Sequence, residues 1–547
     1  MKSNHSIGLD FGTESVRALV VDIRDGRIAG QADARYAHGV IDRALPIAGA
    51  AKLPGDYALQ DPRDWLCAIG SACRQAMANS GVAAVQVIGI GVAFTSCTML
   101  PAIADGTPIC LLDEFAGVPL AWPKLWKHHG AKAATDRINA VARQRREPWL
   151  ARYGGIIGIE WFFPKILETL WQAPRVYDAT TVWLEGGDWL VWQLTAGPYP
   201  GCSTDRLARS TCQAGYKAMW NRHTGYPSAE FFAAVDPAMA DVLGKMPGRL
   251  AAPGERAGRL SSAAAELLGL REGIPVSAAV IDAHAGVPGA GVAEASTMVM
   301  VMGTSSCHMM NSEIERLAPG IAGVVEDGIL PGAFGYETGQ AAVGDALAWV
   351  AQVFGLSHEE LNGRAAALGP GSGGVLAIDW LNGCRSPLMD GRLSGAFLGI
   401  TLGTRPEQLY RAVMEATAFG VRWIVDTMRS ADIPVERFVA SGGLPGRSPL
   451  LMQIYADVLG EAIRLAESDQ AGALGAAILG CLCAGPELTG YTSAAQAIGA
   501  MARQRTDLIY RPSNPAQRIY CELYAMYRKL ADPAGPVAAT MRRLREV

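Results

Sequence analysis

Residues 6–22, SIGLDFGTESVRALVVD, predict a strand, a tight turn and a second strand. The apolar runs Ser6–Asp10 and Val16–Asp22 flank the turn, and glycine-containing steps between apolar runs are typical of hairpins. The acid Asp10 directly precedes the turn, Phe11–Glu14, which contains the hydroxyl of Thr13. The chain therefore opens with a paired segment whose turn presents polar groups.

The same order of elements recurs in the second half of the chain. Thr297–Met302 predicts a strand, Gly303-Thr304-Ser305 a turn of small residues, and Cys307–Met310 a partner strand. Only the architecture is shared, since the two segments have no run of identical residues in common. We therefore predict an α/β protein with two large domains, residues 1–273 and 274–547, separated by a cleft with a short hinge.

Hydrophobic periodicity predicts further elements around these two turns. Residues 101–253 are irregular, rich in tryptophan and interrupted by proline, so we expect helical insertions on the first domain. The spacing predicts helices at Pro62–Asn79, Pro406–Met428 and Pro449–Leu459, strands at Val85–Val92, Pro275–Ile281 and Val435–Ser441, and a buried helix at Ala471–Gly485.

Composition excludes several classes of protein. Half of the 547 residues are hydrophobic, 18% are charged and the net charge is −4, so two cores are available but no basic surface for nucleic acid or membranes. The 11 cysteines lack paired spacing, which favours free thiols in a reducing compartment. The first residues lack the apolar core of a secretory signal. We expect a cytoplasmic enzyme that acts on a small molecule.

Familiar nucleotide and metal motifs are absent from the sequence. There is no GxxxxGK[ST] loop, no GxGxxG loop between a strand and a helix, and no HRD catalytic loop, which disfavours P-loop NTPases, simple dinucleotide-binding domains and protein kinases. No HExxH motif occurs, and the adjacent pair His128-His129 is more typical of hydrogen-bonded or solvent-facing side chains than of metal ligands. A phosphate site must therefore be built differently.

Three turns of glycine and hydroxyl residues follow apolar strands. Glycine lets the backbone approach a ligand, and exposed N–H groups form a nest for anions, so turns that face each other across a cleft suit a polyphosphate. Each turn alone is more typical of a plain hairpin, and the set of three favours phosphate binding. The carboxylate of Asp10 suits Mg²⁺ held through water. The turn residues are Asp10, Thr13, Ser15 and Arg17, then Gly303, Thr304 and Ser305, then Ser441, Gly442 and Gly443.

Three lone charges lie next to apolar or aromatic residues. Asp282 ends an apolar strand, which fits either a helix cap or a general base whose pKa is raised by partial burial. Glu337 and Lys217, each next to a tyrosine, fit either a structural ion pair or contacts to a ligand. Both possibilities stay open for all three residues.

In this order, the segments resemble the FGGY carbohydrate kinases, members of the actin, hexokinase and heat-shock ATPase superfamily. The resemblance covers nearly the whole chain, and the ordered set is more specific than the Asp-x-Gly-Thr turn alone. It implies two actin-like (ribonuclease H-like) domains, each a mixed sheet flanked by helices, around a cleft for ATP and a sugar. The matching segments are Gly8–Thr13, Glu160–Leu167, Gly395–Ile400, Ala412–Ala418, Ser441–Gly443 and Leu451–Gln453.

The resemblance also implies a role for each candidate residue. Asp282 would be the general base on the sugar hydroxyl that attacks ATP, and Asp10 would serve Mg²⁺. The first domain would bind the sugar and the second ATP. The implied sugar contacts are Ser96, Lys217, Asp282 and Glu337; the implied phosphate contacts are Thr13, Ser15, Arg17, Gly303 and Thr304; and Gly442 and Gly443 would border the adenosine site.

Longer segments resemble the members of this family that phosphorylate L-ribulose. They imply transfer from ATP to the terminal hydroxyl, giving L-ribulose 5-phosphate in pentose or arabinose catabolism, with D-ribulose as a second substrate. Another ketopentose or a pentitol, such as xylulose or ribitol, and an actin-like ATPase or pseudokinase are the alternatives. We also expect a homodimer. The segments are Gly12–Ala18, Phe94–Pro101, Leu125–His129, Ala214–Trp220 and Gly339–Asp345.

One position departs from the resemblance. Those relatives carry an acid in the segment after Gly91, where this chain has Ala93. An acid at this strand end would lie close to the pocket, so its loss would either lower activity or loosen the site, or would be natural variation or a deliberate substitution. The sequence leaves these alternatives open, and the fold assignment is unaffected.

Overall fold

Two large mixed sheets organise the computed structural model, which describes residues 4–545. Residues 1–3 and 546–547, the ends of the two predicted domains and part of the segment analysed for a signal, lie outside the described residues. The strands are β1 (His5–Phe11), β2 (Ser15–Asp22), β3 (Ile28–Arg35), β4 (Val87–Phe94), β5 (Met99–Ala102), β6 (Val182–Glu185), β7 (Ala208–Ser210), β8 (Arg249–Ala251), β9 (Arg256–Arg259), β10 (Pro275–Ser277), β11 (Val280–Ile281), β12 (Thr297–Met302), β13 (Ser306–Ser312), β14 (Gly323–Glu326), β15 (Phe334–Gln340), β16 (Leu376–Ile378), β17 (Ala396–Leu398), β18 (Arg437–Ser441), β19 (Ile463–Ala466) and β20 (Gln504–Tyr510).

Helices cover both sheets and fill the insertion in the first half. They are α1 (Pro62–Ser80), α2 (Lys132–Arg145), α3 (Phe162–Gln172), α4 (Pro174–Ala179), α5 (Gly186–Ala196), α6 (Thr211–Lys217), α7 (Ala229–Val235), α8 (Ser262–Leu268), α9 (Asp282–Gly289), α10 (Gly344–Phe354), α11 (His358–Ala366), α12 (Pro406–Ser430), α13 (Gly443–Arg447), α14 (Pro449–Leu459), α15 (Ala471–Ala484), α16 (Pro486–Thr489), α17 (Ala494–Met501), α18 (Asn514–Leu530) and α19 (Pro536–Leu544).

The first sheet grows from the predicted strand–turn–strand segment. Its order is β3-β2-β1-β4-β10-β9, and β11 also pairs with β4. β1 pairs antiparallel with β2 and parallel with β4. Every residue of β4 is buried, as expected for an apolar strand in the middle of a sheet covered on both faces.

The second sheet repeats this arrangement. Its order is β14-β15-β13-β12-β18-β19-β20, with β12 parallel to β18 and antiparallel to β13. In each half, the first strand of the hairpin thus pairs antiparallel with the second strand and parallel with a later strand on its other side. This confirms the predicted recurrence and the α/β class with two mixed sheets.

The chain passes from the first sheet to the second sheet later than residue 274. β10 and β11 pair with β4, so the segment Pro275–Ile281 extends the first sheet, and the second sheet begins at Thr297. The sequence assigned this segment to the second domain because a strand after a loop gives no sign of which sheet it joins. The division at residues 273 and 274 stays a prediction.

Helix α15 packs between the two halves through direct backbone contact. A Cβ atom added to Gly91 of β4 would lie 1.7 Å from the carbonyl oxygen of Ala476, and one added to Gly475 would lie 1.8 Å from that of Ala285 in α9. Only glycine allows so close an approach. This confirms the buried helix predicted from the sequence.

No single helix within residues 4–545 is long and apolar enough to cross a membrane. The segments Ala471–Ala484 and Pro486–Met501 pass the length and composition test only as a pair, and they meet at a bend of 109°.

The insertion carries its own core, as its composition predicts. Helices α2, α3 and α7 pack together through an apolar cluster that includes Trp149, Trp161 and Trp183. This cluster supports the loops that approach the cleft from the first half.

Candidate active site

A buried ion pair joins the two halves of the chain. Nζ of Lys217, at the end of α6, lies 2.9 Å from each carboxylate oxygen of Glu337 in β15. Their side chains are only 5% and 3% exposed. The sequence left an ion pair and a ligand contact open for these residues, and the structure brings them together.

Two further side chains contact the same carboxylate. The guanidinium of Arg385 donates a hydrogen bond to Glu337, and Nε2 of His284 lies 3.5 Å from it. Burial alone would raise the pKa of Glu337, but Lys217 and Arg385 outweigh burial and lower that pKa to about 2. Burial lowers the pKa of His284 to about 3, so its imidazole is neutral at pH 7. The cluster therefore holds one anion against two cations.

Asp282 begins helix α9 at the end of β11. One of its carboxylate oxygens accepts a hydrogen bond from the backbone N–H of Ala283, at 2.8 Å. Burial, and secondly the nearby carboxylate of Asp10, raise the pKa of Asp282 to about 7. A carboxyl group with this pKa is available as a proton acceptor near neutral pH.

Ser96 lies in the turn between β4 and β5. Its hydroxyl contacts Sγ of Cys97 at 3.4 Å, and Cys97 adopts a left-handed backbone conformation with φ of 57°. Burial raises the pKa of the Cys97 thiol to about 12, and the charge of Lys217 opposes this rise. The turn therefore lies beside the ion pair. The ring of Trp161 lies 5.6 Å from Nζ of Lys217 on the other side.

The first glycine turn is held by side chains from the insertion and from the start of α1. The backbone carbonyl of Thr13 accepts a hydrogen bond from Gln60 at 2.8 Å, and its hydroxyl accepts one from the indole of Trp126 at 3.1 Å. The backbone N–H of Gly12 donates to the carbonyl of Ser15, which closes the turn. Arg17 pairs with Asp33 at 2.8 Å across β2 and β3, so its guanidinium is already engaged.

The second and third turns lie against each other. The carbonyl oxygens of Gly303 and Thr304 accept N–H groups at the start of α10, while both residues are exposed. Gly442 has φ of 93°, and a Cβ there would lie 2.5 Å from the carbonyl oxygen of Met302. Ser441 and Gly442 also line a cavity of about 610 Å³ with residues 467–469 and β20, whereas exposed Gly443 begins α13.

The carboxylate of Asp10 is suited to a divalent cation. It is partly exposed at the end of β1, and within residues 4–545 no group donates a hydrogen bond to it. Burial raises its pKa to about 6, so it is largely ionised at pH 7. Free carboxylate oxygens are the ligands that Mg²⁺ prefers.

Ala93 lies beside Asp10 but inside the protein. The two residues are register partners in parallel strands β4 and β1, and Ala93 is fully buried in an apolar cluster with Tyr216 and Val280. Position 93 is therefore close to the pocket without lining it, because α15 covers this face of the sheet.

Profiles of one family match nearly the whole chain. The FGGY family of carbohydrate kinases matches with its N-terminal domain over residues 5–289 and with its C-terminal domain over residues 298–484. The chain belongs to the FGGY family of carbohydrate kinases. It is therefore a sugar kinase, and ATP is the phosphoryl donor that this family uses.

Named relatives of this FGGY kinase cover its full length. The ribulokinase of Shouchella clausii is 44% identical, over 99% of this chain and 98% of the relative. The ribulokinase of Mycolicibacterium smegmatis is 45% identical, over 98% of this chain and 95% of the relative. The crystal structure of xylulose kinase from Rhodospirillum rubrum superposes with a TM-score of 0.77 at 21% identity, covering 100% of both chains, which supports the fold alone.

Two residues of the FGGY kinase cluster were missed by sequence reasoning. His284 lies two positions after Asp282, and Arg385 lies between Cys384 and Ser386, without the neighbouring tyrosine that marked Lys217. A glycine two residues before Arg385 and a proline two residues after it are the local signals that could have found it. His128 was expected to be either hydrogen-bonded or solvent-facing, and the structure shows it buried, with Nε2 2.8 Å from Glu168.

Proposed function

We propose that this FGGY kinase transfers the terminal phosphoryl group of ATP to the terminal hydroxyl of L-ribulose and gives L-ribulose 5-phosphate. D-ribulose is proposed as a second substrate. Two relatives with 44% and 45% identity over almost the full chain carry the name ribulokinase. Asp282 carries the proposal, because its pKa of about 7 suits a base and it lies at the junction of the two halves.

Asp282 acts as the general base in the proposed reaction. Its carboxylate accepts the proton of the terminal hydroxyl while the oxygen forms a bond to the γ-phosphorus of ATP, and the bond from that phosphorus to the β-phosphate oxygen breaks, releasing ADP. Phosphoryl transfer depends mainly on position and electrostatic stabilisation, so one oriented base is sufficient protein chemistry.

The Lys217–Glu337 pair binds the sugar hydroxyls in this proposal. Glu337 is ionised and accepts hydrogen bonds, Lys217 donates them, and the backbone around Ser96 closes the same side. Because Lys217 and Glu337 come from different halves of the chain, a sugar that contacts both favours the closed cleft. A closed cleft excludes water, which would otherwise accept the phosphoryl group.

The three glycine turns hold ATP in the proposed complex. Thr13 and Ser15 approach the phosphates from the first half, Gly303 and Thr304 approach them from the second, and Gly442 and Gly443 border the adenosine. Arg17 joins them only if its guanidinium leaves Asp33. Asp10 would hold Mg²⁺ through water, and the cation would neutralise charge on the phosphates.

A coupled assay of ADP release tests the proposal directly. Rates are measured with L-ribulose, D-ribulose, xylulose, ribitol and glycerol at matched concentrations. We expect the highest kcat/KM with L-ribulose. If the rate were highest with xylulose or ribitol, that compound would take the place of L-ribulose as the proposed substrate. Background rates with all five compounds would favour the non-catalytic ATPase or pseudokinase.

We also propose a cytoplasmic homodimer that needs no nucleic acid or membrane. Trp349 and Val353 on α10 are 44% and 56% exposed, and Trp349 stacks on Phe397 at 6.2 Å, next to exposed Ile400 and Leu402. Residues 395–404 contain no charged side chain. A twofold contact between two copies of this surface therefore brings no like charges together. Light scattering that gives the mass of one chain at micromolar concentration would contradict the dimer.

A further inference from the structure

One buried lysine in the insertion donates hydrogen bonds to two separate loops. Nζ of Lys165, in the first turns of α3, lies 2.6 Å from the carbonyl oxygen of Cys97, 2.9 Å from that of Leu125 and 3.3 Å from that of Lys124. Its side chain is fully buried. Burial lowers the pKa of Lys165, and the three carbonyls accept the N–H groups of its amine.

The first of the two loops carries a candidate sugar contact. Cys97 follows Ser96 directly, and its φ of 57° is a conformation that residues other than glycine seldom adopt. Such a conformation persists where the surrounding structure holds it, at a cost of about 1–3 kcal/mol. The hydrogen bond from Lys165 to the Cys97 carbonyl is one such restraint.

The second loop reaches the candidate phosphate turn. It contains Trp126, whose indole N–H donates to the hydroxyl of Thr13 at 3.1 Å. Helix α3 grips this loop at a second point, because Glu168, one turn after Lys165, lies 2.8 Å from Nε2 of His128. The same helix therefore sets the position of a loop on the sugar side and of a loop on the phosphate side.

We propose that Lys165 is a positioning residue that fixes the distance between the sugar-binding turn at Ser96 and the loop that carries Trp126. The proposal rests on the proposed function, since it assigns Lys165 to the alignment of the acceptor sugar with the phosphates. Lys165 touches neither substrate and acts through the backbone of the two loops.

A space-filling role would not need an amine at this position. Burial lowers the pKa of Lys165, which reflects the cost of taking its charge out of water, and an apolar side chain of the same length would fill the volume without that cost. What the amine adds is directed hydrogen bonds to fixed carbonyls. The loops already share backbone hydrogen bonds between Met99 and Lys124, so Lys165 adds the restraint at the turn itself.

The substitution Lys165→Met tests the proposal by steady-state kinetics. We expect the KM for the preferred sugar to rise by about tenfold or more, the effect of leaving a buried carbonyl without its hydrogen-bond donor, while the Kd for ATP without sugar changes less than about twofold. The control is Asn139→Leu, which removes two buried hydrogen bonds to Ile157 in the same insertion, away from both loops. An unchanged sugar KM in Lys165→Met, or an equal rise in the control, would overturn the proposal.

A second variant covers the case in which Lys165→Met does not fold. Lys165→Gln keeps two N–H donors on a shorter side chain, and hydrogen exchange is measured at the amides of Met99 and Lys124. We expect exchange there to be about tenfold faster than in the original protein, with the amide of Ile157 unchanged. Unchanged exchange at Met99 and Lys124 would contradict the proposal. Absence of sugar kinase activity in the original protein would instead refute the proposed function.

Discussion

The carboxyl group of Asp10 acts on that of Asp282 across the candidate site. Burial chiefly raises the pKa of both, and the charge of Asp10 raises the pKa of Asp282 further. A cation beside Asp10 would reduce this repulsion and lower the pKa of Asp282. The protonation state of the base is therefore linked to occupation of the phosphate side of the cleft.

The substitution Asp282→Asn should lower kcat by about 10²–10⁴-fold, the usual contribution of a general base, with little change in ATP affinity. ADP-release kinetics and ATP titration measure the two effects. The control is Asp188→Asn, since Asp188 is a buried acid of α5 whose pKa is also about 7 but which accepts a hydrogen bond from Ser210 instead. Normal turnover in Asp282→Asn would mean that another group is the base.

The raised pKa of Asp282 also predicts how stability varies with pH. In the folded protein Asp282 holds its proton up to a pH of about 7, whereas in the unfolded chain it loses it near 3.8. Between these values the folded state binds more protons, so this group makes the free energy of unfolding fall as pH rises. Asp282→Asn should flatten the decrease, measured by urea unfolding across this range. An unchanged slope would show that its pKa is not raised.

The substitution Ala93→Asp places a carboxyl group in an apolar cluster beside Asp10. We expect a loss of about 2 kcal/mol or more in the free energy of unfolding, because burying an unpaired polar group is costly. A thermal melt measures this, with Ala93→Ser as the smaller polar control. A stable variant with higher kcat would show that Ala93 limits the rate, in line with the expectation that losing the relatives' acid lowers activity.

The sequence predicted the chemical type of the candidate residues, but it did not predict which residues they contact. The types of Asp282, Lys217 and Glu337 marked them as candidates, but the pairing of Lys217 with Glu337 spans 120 positions and follows from the fold. Arg385 was missed for the same reason, since nothing near it in the sequence points to Glu337.

At the scale of single elements, α15 shows how backbone contact limits substitution. The change Gly475→Ala should lower the free energy of unfolding by more than about 2 kcal/mol, since a methyl group at this position overlaps the carbonyl of Ala285. Turnover should also fall, because α9 begins at Asp282. Urea unfolding and ADP release measure the two effects.

The matched control for this change is Gly499→Ala in α17. A Cβ at Gly499 meets nothing within 4 Å, so the substitution should stabilise the helix by up to about 1 kcal/mol. Equal effects at both positions would show that α15 does not make the close contact.

The elements that periodicity predicted best are long or fully apolar. The helix at Pro449–Leu459 and the strand at Thr297–Met302 have the bounds that the sequence predicts, and the helix from Pro406 ends two residues later than expected. The insertion was predicted only as helical, because its short helices pack on one another and local pattern does not fix their ends.

At the scale of the whole molecule, the Lys217–Glu337 pair links the two halves. The substitution Lys217→Met leaves Glu337 paired with Arg385 and should raise the sugar KM by about tenfold or more, the effect of one lost charge-assisted hydrogen bond. The control is Lys132→Met, whose side chain is 75% exposed and whose surface pair with Asp136 contributes about 0–1 kcal/mol. A sugar KM that does not change would remove Lys217 from the substrate site.

The two-domain architecture was predictable because its repeated hairpin and glycine turns lie close together in the sequence. The membership of β10 and β11 in the first sheet was not, since their pairing with β4 is a contact between distant segments. Local sequence thus indicated the kinds of element, and long-range pairing decided which half each one joins.

The backbone contacts of α15 carry a consequence for motion. Between the glycines of these contacts the surfaces carry side chains that interlock, since Leu474 and Ile478 of α15 share a buried cluster with Val287 of α9 and Leu19 of β2. Close-packed side chains must repack before such surfaces can slide. We therefore expect the first sheet, α15 and α9 to move as one rigid body, so that opening of the cleft takes place at other contacts.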